Sequence, residues 1–240
     1  MTATPAPNFT PRQVLLAWGV HLFTASGAVV GVAALVAISA GDLSGAALLM
    51  LVALFIDAID GSLARAANVT EVCPHFDGRR LDDMVDFFNY VLVPVVFMIA
   101  AGNLLHWAVI SFPVLASAYG FSLNDAKTED DFFLGFPSYW NVVAMYLWLL
   151  DISPAVGTAI VVVLAGLVFV PLKYIYPSKL RVLFRTTAAL SLLWATAMAF
   201  CVADPARASR FGGSEVTLLY PVYYVVLSVW LGGWHKFSKG

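Results

Sequence analysis

Charge is what this sequence has least of. Only 12% of its 240 residues are Asp, Glu, Lys or Arg, against 61% hydrophobic, and the mean hydropathy is +0.85. A soluble domain is about a quarter charged and about half apolar, so this deficit excludes an ordinary water-solvated globule and places most of the chain in lipid. A basic surplus is also missing. Thirteen Lys and Arg against 15 Asp and Glu give a net charge of −2, which removes the electrostatic footprint of a nucleic-acid binder. Cysteine is reduced to Cys73 and Cys201. One precedes a charged loop and the other ends an apolar run, with no CxxC spacing, so neither a disulfide nor a thiolate metal site is expected. Low-complexity tracts, internal repeats and a separable soluble segment are lacking, which predicts a single domain over 1–240. The opening stretch MTATPAPNFTPRQ lacks the basic-then-apolar-then-small order of a cleaved signal and reads as a polar lead into the first helix.

What is present is a series of long apolar runs. A spanning helix needs about 20 mainly apolar residues. Eight stretches qualify as candidates: 14–40, 44–63, 81–101, 104–122, 138–151, 155–174, 183–203 and 214–233. The fifth is short, as a tilted or partly interfacial helix is. Turn-forming pairs separate the runs, among them Gly41-Asp42, Gly102-Asn103, Ser153-Pro154, Tyr176-Pro177 and Asp204-Pro205. The predicted fold is all-α, a polytopic bundle of about eight transmembrane helices. Cytoplasmic loops are enriched in Lys and Arg. With both termini inside, Arg12, Arg65, Arg79, Arg80, Lys127, Lys173, Lys179, Arg181, Arg185, Lys236 and Lys239 all face the cytoplasm, and only Arg207 and Arg210 lie outside. Lys173, Lys179, Arg181 and Arg185 then form a positive-inside anchor that also suits lipid phosphate.

Against this apolar background four aspartates stand out. Asp57 and Asp60 close the second run (ALLMLVALFIDAIDG), and Asp82 and Asp86 open the third (LDDMVDFFNYVLVPVVFMIAA). A single aspartate near a helix end reads most simply as a snorkelling or structural polar group. Four of them, phased, read differently. On a helix, Asp57, Asp60, Gly61, Ala64 and Arg65 fall at i, i+3, i+4, i+7 and i+8, one face. Gly78, Asp82 and Asp86 fall at i, i+4 and i+8, again one face, while Asp83 points elsewhere. Two helices can therefore present two carboxylates each to a common space. Oxygen-only ligands select hard cations such as Mg²⁺ or Mn²⁺, and a pair of such ions polarises phosphates. Gly61 and Ala64 leave room for a ligand near the backbone, and Arg65 offers a guanidinium fork to phosphate. Intramembrane carboxylates are costly and usually functional.

The run D57-x2-D60-G61-x2-A64-R65, then G78-x3-D82-x3-D86, resembles the signature of the CDP-alcohol phosphotransferase family. The twelve residues between Arg65 and Gly78 exceed the usual gap, a departure similar to that in bacterial phosphatidylcholine synthases. VHLFTASG (20–27), TEVCPHFDG (70–78) and NDAKTEDDFFLGFPSYWN (124–141) resemble the same group. The resemblance covers nearly the whole chain. It implies a helical membrane protein, usually a homodimer, whose polar cavity opens to the cytoplasm. It implies transfer of the phosphatidyl group of CDP-diacylglycerol to choline with release of CMP, at the bacterial inner membrane. Carried over, Asp57, Asp60, Asp82 and Asp86 hold the metal, expected to be two ions and preferentially Mn²⁺ over Mg²⁺. Asp82 and Asp86 are the catalytic pair, with Asp86 the base. Gly61, Ala64, Arg65 and Gly78 border the CDP moiety.

Choline has a permanent positive charge and no N–H donor, so its sites use aromatic faces with a carboxylate nearby. Within 119–141, Tyr119, Asn124, Asp125 and Trp140 are the candidates. A solvated acidic loop with Phe132 and Phe133 in the headgroups is the plainer reading of that segment. Tyr90, Phe97, Trp107 and Trp148 read as lipid-facing or packing residues. His21, Thr24 and Ser26 on the first run edge the cavity in the resemblance, or bond backbone carbonyls. Gly27-x3-Gly31 is a small-residue packing face. Two alternatives stay open. Serine could replace choline as acceptor, since FFLGFP also resembles phosphatidylserine synthases. A cation transporter would call for acids near mid-membrane and paired broken helices.

Overall fold

The computed structural model describes residues 9–123, 128, 130, 132–177, 180 and 182–234. Its helices are α1 (Pro11–Ser39), α2 (Leu43–Ala66), α3 (Val69–Val72), α4 (Gly78–Phe87), α5 (Val93–Ala100), α6 (Ser111–Ser122), α7 (Trp140–Leu149), α8 (Pro154–Leu167), α9 (Phe184–Ala203), α10 (Pro205–Arg210), α11 (Gly213–Thr217) and α12 (Leu219–Leu231). A π turn over Phe88–Leu92 joins α4 to α5, and a 3₁₀ turn over Trp107–Ile110 leads into α6. Among the described residues, five helical stretches are long and apolar enough to cross a membrane: Pro11–Ser39, Leu43–Ala66, Gly78–Ala100, Phe184–Ala203 and Gly213–Leu231. Three shorter apolar helices, Trp107–Ser122, Trp140–Leu149 and Trp-free Pro154–Leu167, occupy the remaining predicted runs. The chain is a multi-pass helical membrane protein. Its outer face carries exposed Leu15, Leu22, Val29, Phe200 and Trp230, as a lipid-facing surface does.

Local chemistry sets the helix ends. Thr10 and Gln13 form a reciprocal capping box, with Pro11 in the first turn of α1. Gly41, at φ +78°, turns the chain into α2, where the Asp42 carboxylate accepts from the Gly45 amide at 2.8 Å. Asp77 caps α4 by accepting from the Arg80 amide at 3.0 Å. The π turn precedes Pro94, which lacks the N–H that would close a bond back to Tyr90. Such local widening is how a spanning helix accommodates proline.

The Gly27–Gly31 face is internal. A Cβ on Gly27 would stand 2.9 Å from Val85, and one on Gly31 would meet Asn89 and lie 2.6 Å from Phe88. The absent side chains let α1 lie against α4 and the π turn, and Asn89 donates to the Gly27 carbonyl at 3.0 Å across the contact. The main core gathers Phe97, Met98, Trp140, Met145 and Met198 among α1, α2, α5, α7, α8 and α9.

The all-α expectation holds, with one small hairpin added to the helices. Strands β1 (Phe132–Leu134) and β2 (Lys173–Ile175) pair antiparallel, with Phe133 opposite Tyr174. The predicted 155–174 run is helical only to Leu167, and beyond Pro171 its end becomes β2. Lys173 fixes the hairpin from the side: its ammonium donates to Asp130 at 2.6 Å and lies 5.5 Å from the Phe132 ring centroid. Its amide donates to the Gly233 carbonyl at 2.9 Å, which ties in the end of the described chain. Lys127, Lys179, Arg181, Lys236 and Lys239 lie outside the described residues. Cys73 and Cys201 are both free and buried.

Candidate active site

The acidic face predicted on α2 and α4 forms as two helix segments facing each other. Asp57, Asp82 and Asp86 each bring a carboxylate oxygen into a group whose atoms all lie within 4.8 Å of one another. They come from two helices: Asp82 and Asp86 stand one turn apart on α4, and Asp57 faces them from α2. Asp60, one turn beyond Asp57, is buried, with the Thr24 hydroxyl, the Gly61 amide and the Asp82 carboxyl as polar neighbours. It therefore stands beside the triad through Asp82 rather than within it. The long connection from Ala66 to Asp77 does not disturb this arrangement. It folds into the single turn of α3, entered through Asn68 at φ +49° and closed by buried Cys73.

Like charges this close oppose each other. At an effective dielectric of about 20, two carboxylates 4.8 Å apart repel by about 3.5 kcal/mol. A divalent cation relieves that repulsion. Carboxylate oxygens are the donors that Mg²⁺ and Mn²⁺ prefer; ligands at about 2.1 Å from such an ion stand at most about 4.2 Å apart, so a group within 4.8 Å would draw in slightly around it. The donor set is thus suited to a hard cation.

Tyr90 completes the acidic site, and the sequence reading placed it among the packing aromatics. Its ring is buried, and its hydroxyl donates to Asp57 Oδ2 at 2.6 Å. The signal was there: Tyr90 continues the i, i+4, i+8 series of Asp82 and Asp86. The aromatic neighbours of Tyr90 continue the row. Tyr139 lies 6.1 Å away, Tyr224 lies 5.8 Å from Tyr139, and Tyr174 stacks 6.4 Å from Tyr224.

The residues expected to border CDP are placed as follows. Ala64 and exposed Arg65 line a cavity of about 260 Å³ together with Asn68, Val69, Thr70 and Glu71. The Arg65 guanidinium donates to Ser62 Oγ at 3.0 Å, and another of its nitrogens lies 3.5 Å from where a Gly61 Cβ would stand. Gly78 has a packing duty: a Cβ there would fall 2.7 Å from the ring of His21. His21 is buried against Phe76 at 4.5 Å, and its Nε2 has no hydrogen-bond partner among the described residues.

Of the residues expected to hold choline, Tyr119 and Trp140 are among the described residues. Trp140 is fully enclosed, its indole N–H donating to Ser117 Oγ at 2.8 Å and its ring packed on Phe136. It is a core residue with no face open to a ligand. Tyr119 is exposed on α6 against Phe169. Asn124 and Asp125 lie outside the described residues.

The chain is similar to several bacterial proteins of known name. Over 179 residues the chain is 44% identical to a phosphatidylcholine synthase of Legionella pneumophila, covering 72% of this chain and 70% of the relative. A phosphatidylcholine synthase of Pseudomonas aeruginosa is 36% identical over 190 residues, 78% of this chain and 80% of the relative. One from Borreliella burgdorferi is 33% identical over 225 residues, 91% and 95% of the two chains. The chain belongs to the bacterial phosphatidylcholine synthase family. No family model matches it.

Proposed function

We propose that this chain transfers the phosphatidyl group of CDP-diacylglycerol to choline, forming phosphatidylcholine and releasing CMP. The observation that carries the reading is the convergence of Asp57, Asp82 and Asp86, from two helices, in a chain of this family. Asp57, Asp82 and Asp86 would hold a divalent ion, Mn²⁺ or Mg²⁺, with Asp60 and Asp82 available to a second. When bound, such ions neutralise the pyrophosphate and make its phosphorus a better electrophile.

The remaining chemistry belongs to the protein. Arg65 and Ala64, with Gly61 and Gly78 nearby, receive the CDP end of the donor, and the guanidinium pairs with its phosphate oxygens. Asp86 accepts the proton of the choline hydroxyl. The choline oxygen forms a bond to the phosphorus carrying diacylglycerol, the bond from that phosphorus to the bridging oxygen breaks, and CMP leaves with the bridging oxygen. Positioning and charge neutralisation supply most of the acceleration in such a transfer. We further propose that the eight apolar stretches all cross the inner membrane as one domain, with both termini and the acidic site on the cytoplasmic side, and that the protein works as a homodimer.

The test is CMP release from CDP-diacylglycerol by the purified protein in mixed micelles. Release is expected to need choline and Mn²⁺ or Mg²⁺, and to stop on chelation. Release driven by serine but not by choline would replace the acceptor. Absence of CMP release with every acceptor, alongside cation flux in vesicles, would replace the enzyme with a transporter.

A further inference from the structure

Four tyrosines form a continuous row that begins at the acidic triad and ends at open volume. Tyr90 touches Asp57 through its hydroxyl. Tyr139 and Tyr224 follow at centroid separations of 6.1 and 5.8 Å, and Tyr174 stacks on Tyr224. They come from four separate parts of the chain: the π turn, the residue before α7, β2 and α12. Tyr139, Tyr174 and Tyr224 line a cavity of about 410 Å³, whose remaining wall is largely aliphatic and includes Val142, Leu164 and Val225.

We propose that this row is the quaternary-ammonium subsite, with Tyr139 as its principal face; the inference rests on the reading above that the acceptor is choline. A trimethylammonium group offers no hydrogen to donate, so carbonyls and hydroxyls gain little from it. Ring faces within about 6 Å attract it through their quadrupole. Tyr90 and Tyr139, with tilted rings whose centroids are 6.1 Å apart, can both lie within that distance of one cation set beside the pair, though not between the rings. Of the four rings, Tyr90, Tyr174 and Tyr224 are buried and Tyr139 is half-buried, so Tyr139 has a face to give. Tyr139 is hydrogen-bonded to Tyr224, and both its ring neighbours are pinned in turn. Tyr90 is held by Asp57, and Tyr224 donates to the Ile175 carbonyl at 3.0 Å. Rings fixed in advance lose little freedom when a ligand arrives.

The placement also suits the reaction. Two methylenes separate the hydroxyl of choline from its nitrogen. With the hydroxyl at Asp86, the ammonium reaches the neighbourhood of Tyr90, one turn further along the same helix. The aliphatic wall of the cavity accommodates the N-methyl groups, and a primary ammonium would have to shed its water against that wall. The row therefore favours a methylated acceptor over ethanolamine or serine.

The test compares acceptor KM with kcat in the CMP-release assay. Tyr139→Leu is expected to raise the KM for choline at least about tenfold while the KM for CDP-diacylglycerol stays within about twofold. Tyr139→Phe, which keeps the ring, is expected to stay within about threefold of wild type on choline. On the wild-type protein, tetramethylammonium is expected to compete with choline at least about tenfold better than the neutral isostere 3,3-dimethylbutan-1-ol. This comparison stands even if the leucine variant does not fold. An unchanged choline KM in a folded Tyr139→Leu, or equal competition by the two isosteres, overturns the inference while choline turnover by the wild type leaves the proposed function intact. A wild type that releases CMP without using choline overturns both.

Discussion

Replacing Tyr90 with phenylalanine removes one oxygen and leaves the packing of a buried ring in place. That oxygen donates to Asp57 Oδ2 at 2.6 Å, a hydrogen bond to a charged group. Such bonds contribute about 1.5–3 kcal/mol. Loss of a partner that orients a metal ligand typically weakens the metal by about 10–100-fold, or about 1.4–2.7 kcal/mol, so the two magnitudes agree. Tyr90→Phe is therefore expected to raise the Mn²⁺ concentration giving half-maximal CMP release by about 10–100-fold. Turnover at saturating Mn²⁺ is expected to recover most of the wild-type value, because Asp82 and Asp86 are untouched. The assay is CMP release against free Mn²⁺ at fixed choline and donor, with thermal unfolding in detergent as the check on folding. A folded variant with an unaltered Mn²⁺ curve would refute the claim that this hydroxyl orients Asp57 for a cation.

Other outcomes follow from the same structure. Asp86→Asn is expected to lose about 10²–10⁴-fold in turnover, the usual worth of a positioned base, while still binding labelled CDP-diacylglycerol in a filter assay. Gly31→Ala puts a methyl against Phe88 and Asn89 and is expected to destabilise by about 1–3 kcal/mol in thermal unfolding, whereas Gly19→Ala, with open space around it, is expected to be silent. The Lys173 ammonium, followed by the Thr128 hydroxyl, holds the Asp130 carboxyl below its ordinary value of 3.8. Because the folded value is the lower one, the pair's contribution is present above the ordinary value and is lost as pH falls through the folded one. Asp130 is half exposed, so solvent screening limits that contribution to about 1 kcal/mol or less. Asp130→Asn is expected to lower the unfolding midpoint slightly at neutral pH and not at all below the folded value.

The sequence was most legible where period and chemistry coincide. Spacings of three and four residues put Asp57 with Asp60, and Asp82 with Asp86, on single faces, because helical phase over one turn leaves little choice. The apolar runs were legible for the same reason, since length and hydropathy set them. Trp140 was misjudged because indole composition says nothing of enclosure, and only the packing of α7 against Ser117 and Phe136 seals it. Tyr139 and Tyr224 are 85 residues apart in number, so no local pattern joins them. The β1–β2 hairpin was hidden because three-residue strands carry almost no alternation and β2 lies at the end of an apolar run. Tyr90 was within reach of the phase argument but was grouped with ordinary membrane aromatics.

The widened turn before Pro94 has a further effect on how one rod divides its labour. A uniform α-helix would carry the same stripe past both ends of the Gly78–Ala100 span, so residues aligned with Asp82 and Asp86 would go on facing the acids to the far leaflet. Spreading the coil over Phe88–Leu92 shifts the angular bookkeeping at that point. Upstream side chains keep their heading toward α2, and downstream ones such as Phe97 and Met98 swing into the greasy interior. Replacing Pro94 with a residue that restores regular winding would thus be felt first in the aim of Tyr90, a full turn away, and not at the substituted position itself.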